Sequence, residues 1–499
     1  MSKLNTLLMV CFALVLASTA RAQVNNAELN GDYAFSFNGI TSFGGGPTPL
    51  AAVGRFTADG AGNITAGELD VNGTGPGAVA AATPFTGTYS IGADNRGVMT
   101  WNAVGNLMFL ATLPFAMTAS GNALFTIYDA SGGNGTIGTG TIEKSDRTAY
   151  NATLITGDYA FGLAGPDNSN TRVAFAGRLT ANGAGVFTNP AGDINARGNV
   201  GPATFAAASY TLADVISGRG TISMTILFAG SPFTLNFAFY TVNAGKLFVM
   251  GRDPVTGTFP LLNGVVTHQQ TPLGGFSTAS LNGGMVLSLT GLSVCSSGAA
   301  PASDVILGLL TANGNGGFTV TYDKNCGGVV NSFSAVPGTY GVATNGRVLI
   351  TTGTGTDIAY LVSSNQVFYL GTDSSVLFGP GDAQATCTFS NSSVTGNYAG
   401  AATTPATFGV VAFSGEFAAN GASPTGNITG TEDIGAPSGP NPGVAFNATY
   451  SISSSPTNGR GSVTITSPSS QSAVAYVISP SRFVILPLGD ASPSVWLFE

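Results

Sequence analysis

Along much of this chain, aromatic and aliphatic residues alternate with small or polar residues. Tyr33, Phe35 and Phe37 occupy every second position near the start, and Phe, Leu, Phe and Phe do the same over 233–239. A period of two is typical of a β-strand in a sheet with one buried face. The sequence shows no convincing amphipathic helix with capping residues, so it predicts an all-β protein.

One strand opening occurs four times in the chain. It reads LNGDYAFSFNG, ITGDYAFGLAG, LNGGMVLSLTG and VTGNYAGAATT. The block GRFTADGAGNIT and its counterparts follow, and then a block with a recurring tyrosine. These tyrosines, which we expect in the core, are Tyr89, Tyr210, Tyr340 and Tyr450. The fourth block is an apolar strand that ends in an aspartate in each copy, namely Asp129, Asp253, Asp373 and Asp490.

Four ordered blocks in four copies predict four tandem domains of ordinary size. We place these β-repeats at residues 27–146, 152–268, 276–381 and 391–499. Each repeat holds about eight strands between its turns. Because the hairpins follow one another without a long crossover, we favour an up-and-down antiparallel barrel of lipocalin or avidin size over a two-layer β-sandwich.

One strand in each repeat is apolar on both faces. These strands contain LFTI, LFVM, VFYL and FVIL, beginning at Leu124, Leu247, Val367 and Phe483. A strand of this kind is covered on both sides. We therefore expect its outer face to pack on a neighbouring repeat.

The stretch RFTADGAGNITAGELDVNG, from Arg55 to Gly73, has the acids and glycines of a calcium loop. Its spacing is wrong for a calcium hand, because the sixth position after an Asp59 start is Ile64 instead of glycine. The other copies have Asn-Gly where this one has Asp59-Gly60. A tight hairpin with positive φ at both central residues explains all four copies. We predict no metal site, and Asp70 keeps only a weak claim to one.

The first 22 residues predict a cleaved export signal. Lys3 precedes an apolar run too short to span a membrane, and Ala20-Arg21-Ala22 is a small-x-small cleavage site. Loss of the two basic residues takes the net charge from −8 to about −10. No later segment predicts a transmembrane helix. We expect an extracellular, cell-surface or periplasmic protein, and its acidity argues against a nucleic-acid partner.

Three cysteines remain after export, an odd number for an exported chain. Cys295 follows the first strand of the third repeat and Cys326 follows the third strand, so both lie at the same end of a meander. We predict a disulfide between them. Cys387 is then left over, either for pairing between molecules or as a free buried thiol.

Only 8% of the residues are charged, so a charge that recurs in every repeat needs an explanation. Four arginines sit at equivalent places, namely Arg96, Arg219, Arg347 and Arg460. In one interpretation each lies across a barrel end and bonds strand-end carbonyls or the strand-end aspartates. In the other, each binds a ligand carboxylate or phosphate.

Catalysis is not indicated by any constellation of residues. The single histidine, His268, falls in a predicted linker, and no nucleophile elbow or phosphate-binding loop accompanies it. We therefore predict a protein that is not an enzyme and holds no cofactor.

The blocks GDYAF, GRFTADGAGNIT and GTYSIGADNRG resemble those of uncharacterised exported Gly/Ala/Thr-rich β-repeat proteins of acidobacterial type. That resemblance implies no activity. The tandem copies and uncharged faces favour a structural or adhesive protein of the cell surface or matrix, which binds surface glycans or further copies of itself. The alternative is a protein that binds a small ligand or carbohydrate inside its barrels. An empty cavity inside the repeats would favour this alternative, and packed cores would favour the first.

Overall fold

A computed structural model describes residues 24–42, 46–74, 79–103, 112–127, 134–212, 214–297, 299–403, 411–453 and 458–499. The predicted export signal lies outside these residues. No helix among the described residues has the length and apolar character needed to cross a membrane.

The chain forms four closed barrels, each of eight antiparallel strands. Barrel 1 contains β1 (Asn30–Ser42), β2 (Pro47–Asp59), β3 (Asn63–Gly73), β4 (Ala80–Ile91), β5 (Arg96–Ala103), β6 (Thr112–Met117), β7 (Ala123–Thr126) and β8 (Gly135–Lys144). Barrel 2 contains β9 (Thr156–Pro166), β10 (Arg172–Asn182), β11 (Phe187–Ala196), β12 (Asn199–Thr211), β13 (Arg219–Phe228), β14 (Ser231–Asn243), β15 (Lys246–Gly251) and β16 (Asn263–His268).

The other two barrels repeat this order. Barrel 3 contains β17 (Asn282–Ser293), β18 (Ala302–Asn313), β19 (Gly317–Cys326), β20 (Val329–Val342), β21 (Arg347–Thr352), β22 (Gly355–Ser363), β23 (Gln366–Leu370) and β24 (Phe378–Ala383). Barrel 4 contains β25 (Thr395–Ala402), β26 (Ala412–Asn420), β27 (Gly426–Ala436), β28 (Gly439–Ile452), β29 (Arg460–Ser467), β30 (Gln471–Ser479), β31 (Arg482–Pro487) and β32 (Trp496–Phe498).

Each strand pairs with its neighbours in sequence, and the last strand pairs with the first. The up-and-down barrel is therefore confirmed over the sandwich. Barrels 1, 2 and 4 lie within the predicted repeats. Barrel 3 runs two residues beyond its predicted limit of 381, because β24 ends at Ala383.

Side chains fill the barrel interiors. Tyr33, Phe35 and Phe37 of β1 all belong to the buried core of barrel 1, as the alternation predicts. The recurring tyrosines are buried, and each donates its hydroxyl proton to the backbone carbonyl just before the first strand, as Tyr89 does to Leu29 at 2.6 Å. In the described core of barrel 3, the space around Met285 and Phe318 is too small for a water molecule.

The turn after each second strand differs from the predicted hairpin. The Asp59 carboxylate accepts hydrogen bonds from the backbone N–H groups of Ala61 and Asn63, at 2.8 and 2.9 Å. The positive φ values fall on Gly60 and Gly62 and not on Asp59. Asn182 makes the same two kinds of contact in barrel 2. An Asx turn therefore replaces the Asn-Gly hairpin, because the side chain can accept two backbone donors at once.

The four barrels are joined head to tail in a closed ring. The first and second strands of each of the first three barrels contact the sixth and seventh strands of the next barrel, as β1 and β2 contact β14 and β15. Strands β25 and β26 of barrel 4 then contact β6 and β7 of barrel 1. One chain therefore builds a pseudo-fourfold ring in which every junction, or seam, uses the same two surfaces.

The strands that are apolar on both faces lie at these seams. Phe248 and Met250 of barrel 2 pack with Ala34 and Val53 of barrel 1 in one buried cluster. Equivalent clusters join barrels 2 and 3, 3 and 4, and 4 and 1. The expectation that the outer faces pack on neighbouring repeats is confirmed, and removal of this apolar surface from water stabilises the ring.

Cys295 and Cys326 form a disulfide, as predicted. It joins the end of β17 to the end of β19 within barrel 3. Cys387 is a free cysteine on the surface, so of its two predicted alternatives the buried thiol is wrong.

Candidate functional site

The four recurring arginines lie at the four seams. At the seam between barrels 1 and 2, the Arg219 guanidinium donates from Nε and Nη2 to the two carboxylate oxygens of Asp70, at 2.6 and 2.7 Å. The Asp70 side chain is only 1% exposed. The Tyr240 hydroxyl donates to the same carboxylate at 2.9 Å. A bidentate pair with a third donor both neutralises Asp70 and fixes its orientation.

The next two seams repeat this triad. Arg347 of barrel 3 holds Asp193 of barrel 2 with two hydrogen bonds of 2.7 and 2.8 Å, and Tyr360 donates to the same carboxylate. Arg460 and Tyr476 of barrel 4 hold Asp323 of barrel 3 in the same way. The three triads therefore join successive barrels through one geometry.

In the three triads, pairing raises the pKa of the arginines, and in one of them it lowers the pKa of the aspartate, Asp323. Hydrogen bonding to Asp193 raises the pKa of the Arg347 guanidinium above its usual value. Burial acts to raise the pKa of Asp323, but hydrogen bonds from Arg460, Ser332 and Tyr476 outweigh it and lower the pKa below the usual value. The Arg347 guanidinium and the Asp323 carboxylate therefore stay ionised over the ordinary pH range.

The predicted arginine partners are wrong. The carboxylates come from the third strand of the preceding barrel, and not from the strand-end aspartates. The residues at these strand ends instead accept hydrogen bonds through their backbone carbonyls. Asn195 donates its amide protons to the carbonyls of Gly371 and Asp373, at 2.7 and 2.8 Å. Asn72 makes the same contact with Gly251 and Asp253, and Asn325 with Asp490. Asp129 lies outside the described residues.

The seam between barrels 4 and 1 closes the ring with fewer side-chain hydrogen bonds. Arg96 reaches both oxygens of Asp433 through Nη1, at 3.0 and 3.1 Å, and it also bonds Asp94. Ala116 is paired with Arg96 where a tyrosine stands in the other barrels. Gly435 occupies the position of the amide-donating asparagine, and a Cβ there would lie 2.5 Å from the Ile127 carbonyl. Closer backbone packing therefore replaces the side-chain contacts.

Two unusual carboxyl groups lie on the strands of barrel 4 that form the closing seam. Burial, followed by the nearby Asp94 charge, raises the pKa of Glu416 to about 8. Burial, followed by repulsion from Asp433, raises the pKa of Glu432 to about 8. Both groups are therefore mostly protonated at pH 7.

Sequence reasoning missed the third-strand acids as arginine partners. Their signal was present, since an aspartate recurs fifteen to eighteen residues after the second-strand glycine of each repeat, in GELD, AGD, TYD and TED, at Asp70, Asp193, Asp323 and Asp433. The tyrosines Tyr240, Tyr360 and Tyr476 also recur. Nothing in the sequence indicated that an acid of one repeat meets an arginine of the next.

A cavity of 460 Å³ lies between the four barrels and is lined by residues of all of them. The first strands contribute small or polar side chains, among them Ser36, Ser288, Thr290 and Ala401. Apolar groups such as Phe378 and Val484 complete the wall. The volume and mixed lining are those of a site for a small organic molecule. The cavity is thus placed between the repeats and not inside them.

The two remaining candidate residues, His268 and Asp70, both make contacts that support the fold. His268 ends strand β16 and does not lie in a linker, and its ring packs edge-to-face on Tyr159 with centroids 5.2 Å apart. Among the described residues, no three His, Cys, Asp or Glu side chains lie close enough together to hold a metal ion. Asp70, which had only a weak claim to a metal in the sequence, forms an ion pair with Arg219.

Comparison with known proteins assigns no family to the chain. No family model matches it, and no curated protein matches it. Among solved structures, it is similar to a Trp-176-Ala mutant of the vaccine antigen transferrin binding protein B from Haemophilus parasuis, with 12% identity, a TM-score of 0.18, and coverage of 77% of this chain and 84% of that one. A likeness this low carries no argument about function.

Proposed function

We propose that the protein is an exported, non-enzymatic structural or adhesive protein of the cell surface or extracellular matrix, whose ring presents uncharged faces to neutral polymers such as surface glycans. One observation carries the proposal. The outer wall of every barrel bears a cross-strand pair of hydroxyl groups at the same register.

The four pairs share one position, immediately before the recurring core tyrosine on the fourth strand and opposite it on the fifth. They are Thr88 with Thr100, Ser209 with Ser223, Thr339 with Thr351, and Thr449 with Thr464. Because successive strand residues point to opposite faces and the tyrosine points into the core, these hydroxyls point outward. In barrels 1 and 3 both members of the pair are exposed.

The chemistry of these walls suits neutral polymers. Hydroxyl groups both donate and accept hydrogen bonds, as sugar hydroxyls do. Only 8% of all residues are charged, so long-range attraction to ionic surfaces is weak. Four similar walls on one ring can engage a repetitive polymer together, which multiplies a weak single contact.

The packed barrel interiors favour this proposal over ligand binding inside the barrels. Aromatic and aliphatic side chains fill the cores of all four barrels in their described parts. A ligand in such a core would have to displace well-packed side chains, which destabilises the fold.

Retention of the full mature chain on insoluble neutral polysaccharides and on intact bacterial cells tests the proposal. We expect retention that persists at high salt, and we expect the double variant Thr88→Glu/Thr339→Glu to lose at least about tenfold in affinity. The matched control, Thr65→Glu/Thr354→Glu, adds the same charge at exposed positions elsewhere and keeps retention. Failure of the wild type to bind any such surface, or full binding by the first variant, contradicts the proposal.

A further inference from the structure

The cavity at the centre of the ring contains a partly buried arginine, Arg172, that has no carboxylate partner among the described residues. Arg172, the first residue of β10, lines the cavity. Its Nε donates to the Val376 carbonyl at 3.1 Å, and its Nη2 donates to the Thr290 hydroxyl at 3.0 Å. Both acceptors are neutral and belong to barrel 3, so these bonds leave the charge uncompensated.

No acidic side chain of the described residues forms an ion pair with Arg172. The only acidic residue outside those described is Asp129 of the first repeat. Burial lowers the pKa of Arg172 to about 10, so the group remains charged at neutral pH. The four seam arginines, by contrast, all have carboxylate partners. Removing an unpaired charge from water costs free energy unless a counter-ion neutralises the charge.

The position of Arg172 breaks the pseudo-fourfold pattern of the cavity. The equivalent residues five positions before the second-strand glycine are Pro49 in barrel 1 and Ser303 in barrel 3, and both also line the cavity. Neither carries a charge. The other charged groups of the lining, Arg482 and Asp382, lie within 3.4 Å of each other and compensate one another. Arg172 therefore gives the lining a net positive charge.

The rest of the wall defines what kind of anion fits. Ser288 has a buried hydroxyl with no hydrogen-bond partner in the described residues, and it lines the cavity beside Thr290. Ile40, Leu292 and Phe378 supply apolar surface. A guanidinium fork matches the two oxygens of a carboxylate, and the aliphatic wall matches a hydrocarbon body.

We propose that the central cavity of the ring binds one small organic carboxylate with an apolar body, whose carboxylate pairs with Arg172. The site is separate from the adhesive walls and does not depend on them. Binding would neutralise the charge of Arg172 and bury the hydrocarbon among the four barrels. Because the ligand would bind only the folded ring, it would also stabilise the ring by linkage.

Calorimetric titration of the full mature chain with octanoate, 1-octanol and acetate at neutral pH tests this site. We expect one octanoate to bind per chain. Octanol, which lacks the carboxylate, and acetate, which lacks the long hydrocarbon chain, should each bind at least about tenfold more weakly. Arg172→Gln should weaken octanoate at least about tenfold and leave octanol unchanged. The control Arg147→Gln removes an equally charged but half-exposed residue outside the cavity and keeps octanoate binding.

Arg172→Lys covers the case in which the glutamine variant does not fold, because it keeps the charge and removes the bidentate fork. Its preference for octanoate over octanol should fall several-fold. Octanol binding as tight as octanoate, absence of octanoate binding to the wild type, or an unchanged preference in the Arg172 variants overturns the proposal.

Discussion

At the scale of single residues, the ring is held by a small number of buried ionic contacts. The third-strand aspartates are almost fully buried, and three of them receive two arginine bonds and one tyrosine bond. Removing one partner of a buried pair leaves the other charge uncompensated, which is strongly destabilising. Asp433 accepts the Gly443 backbone N–H instead of a tyrosine hydroxyl, and both of its arginine bonds come from Nη1 alone, so the four seams should differ in strength.

Asp193→Asn should destabilise the protein by about 3–5 kcal/mol, because the Arg347 guanidinium then lacks its counter-charge. Asp433→Asn should have a clearly smaller effect, since Arg96 keeps Asp94 at 2.8 Å and no tyrosine is involved. Urea unfolding of both variants measures the difference. Equal losses, or a larger loss for Asp433→Asn, would show that the triads do not set the strength of the seams.

The raised pKa values of Glu416 and Glu432 predict a specific pH dependence. Between an unfolded pKa near 4.5 and a folded pKa of about 8, the native state binds more protons than the unfolded state. The contribution of these two groups to the free energy of unfolding is therefore fully present below about pH 4.5, and it falls as the pH rises to about 8. The fall is at most about 1.4 kcal/mol per pH unit for each group.

Glu432→Gln should flatten this fall, because the amide is neutral at every pH. Unfolding midpoints measured across the same pH range provide the test, with Glu28→Gln as an exposed control that keeps the wild-type slope. A Glu432→Gln variant whose stability still falls as steeply as that of the wild type would rule out this carboxyl as the cause.

At the scale of the element, the third strand of a barrel has two tasks. Its inward residues fill the barrel core, while outward residues such as Asp193 and Asn195 bond the next barrel. Alternation separates the two tasks, because successive side chains point to opposite faces. The sequence predicted this alternation and the two-sided apolar strand opposite. It did not predict the hydrogen bonds between the third strand of one barrel and the next barrel, because the bonded residues lie more than 150 residues apart in sequence.

Asn195→Ala should destabilise the protein by about 2 kcal/mol, because the carbonyls of Gly371 and Asp373 lose their donor in a buried place. Asn447→Ala, at an exposed strand position, is the matched control and should change stability little. Thermal unfolding compares the two. An Asn195→Ala variant as stable as the control would mean that water replaces the amide without loss.

At the scale of the whole molecule, the seams make four domains into one unit. Each barrel buries an apolar outer face against the next, and the fourth does so against the first. A barrel without its neighbours would therefore expose these faces to water. Large exposed apolar patches drive association.

A chain of barrels 1–3, residues 24–383, should self-associate more strongly than the full mature chain, because it exposes Leu307 on barrel 3 and Leu124 on barrel 1. Sedimentation analysis of both chains provides the measurement. If the three-barrel chain is monomeric and as stable as the full chain, the seams contribute little to the fold.

The sequence by itself determined the strand pattern and the four repeats, and it correctly favoured the barrel over the sandwich and the disulfide from Cys295 to Cys326. These features follow from local alternation, turn residues and spacing within one repeat, which neighbouring residues encode. Only the tertiary structure decided that the barrels close into a ring, that Arg347 meets Asp193, and that the cavity lies between barrels with Arg172 in its wall. Each of these depends on which surfaces of distant repeats come together, and complementarity between folded surfaces leaves no periodic signal along the chain.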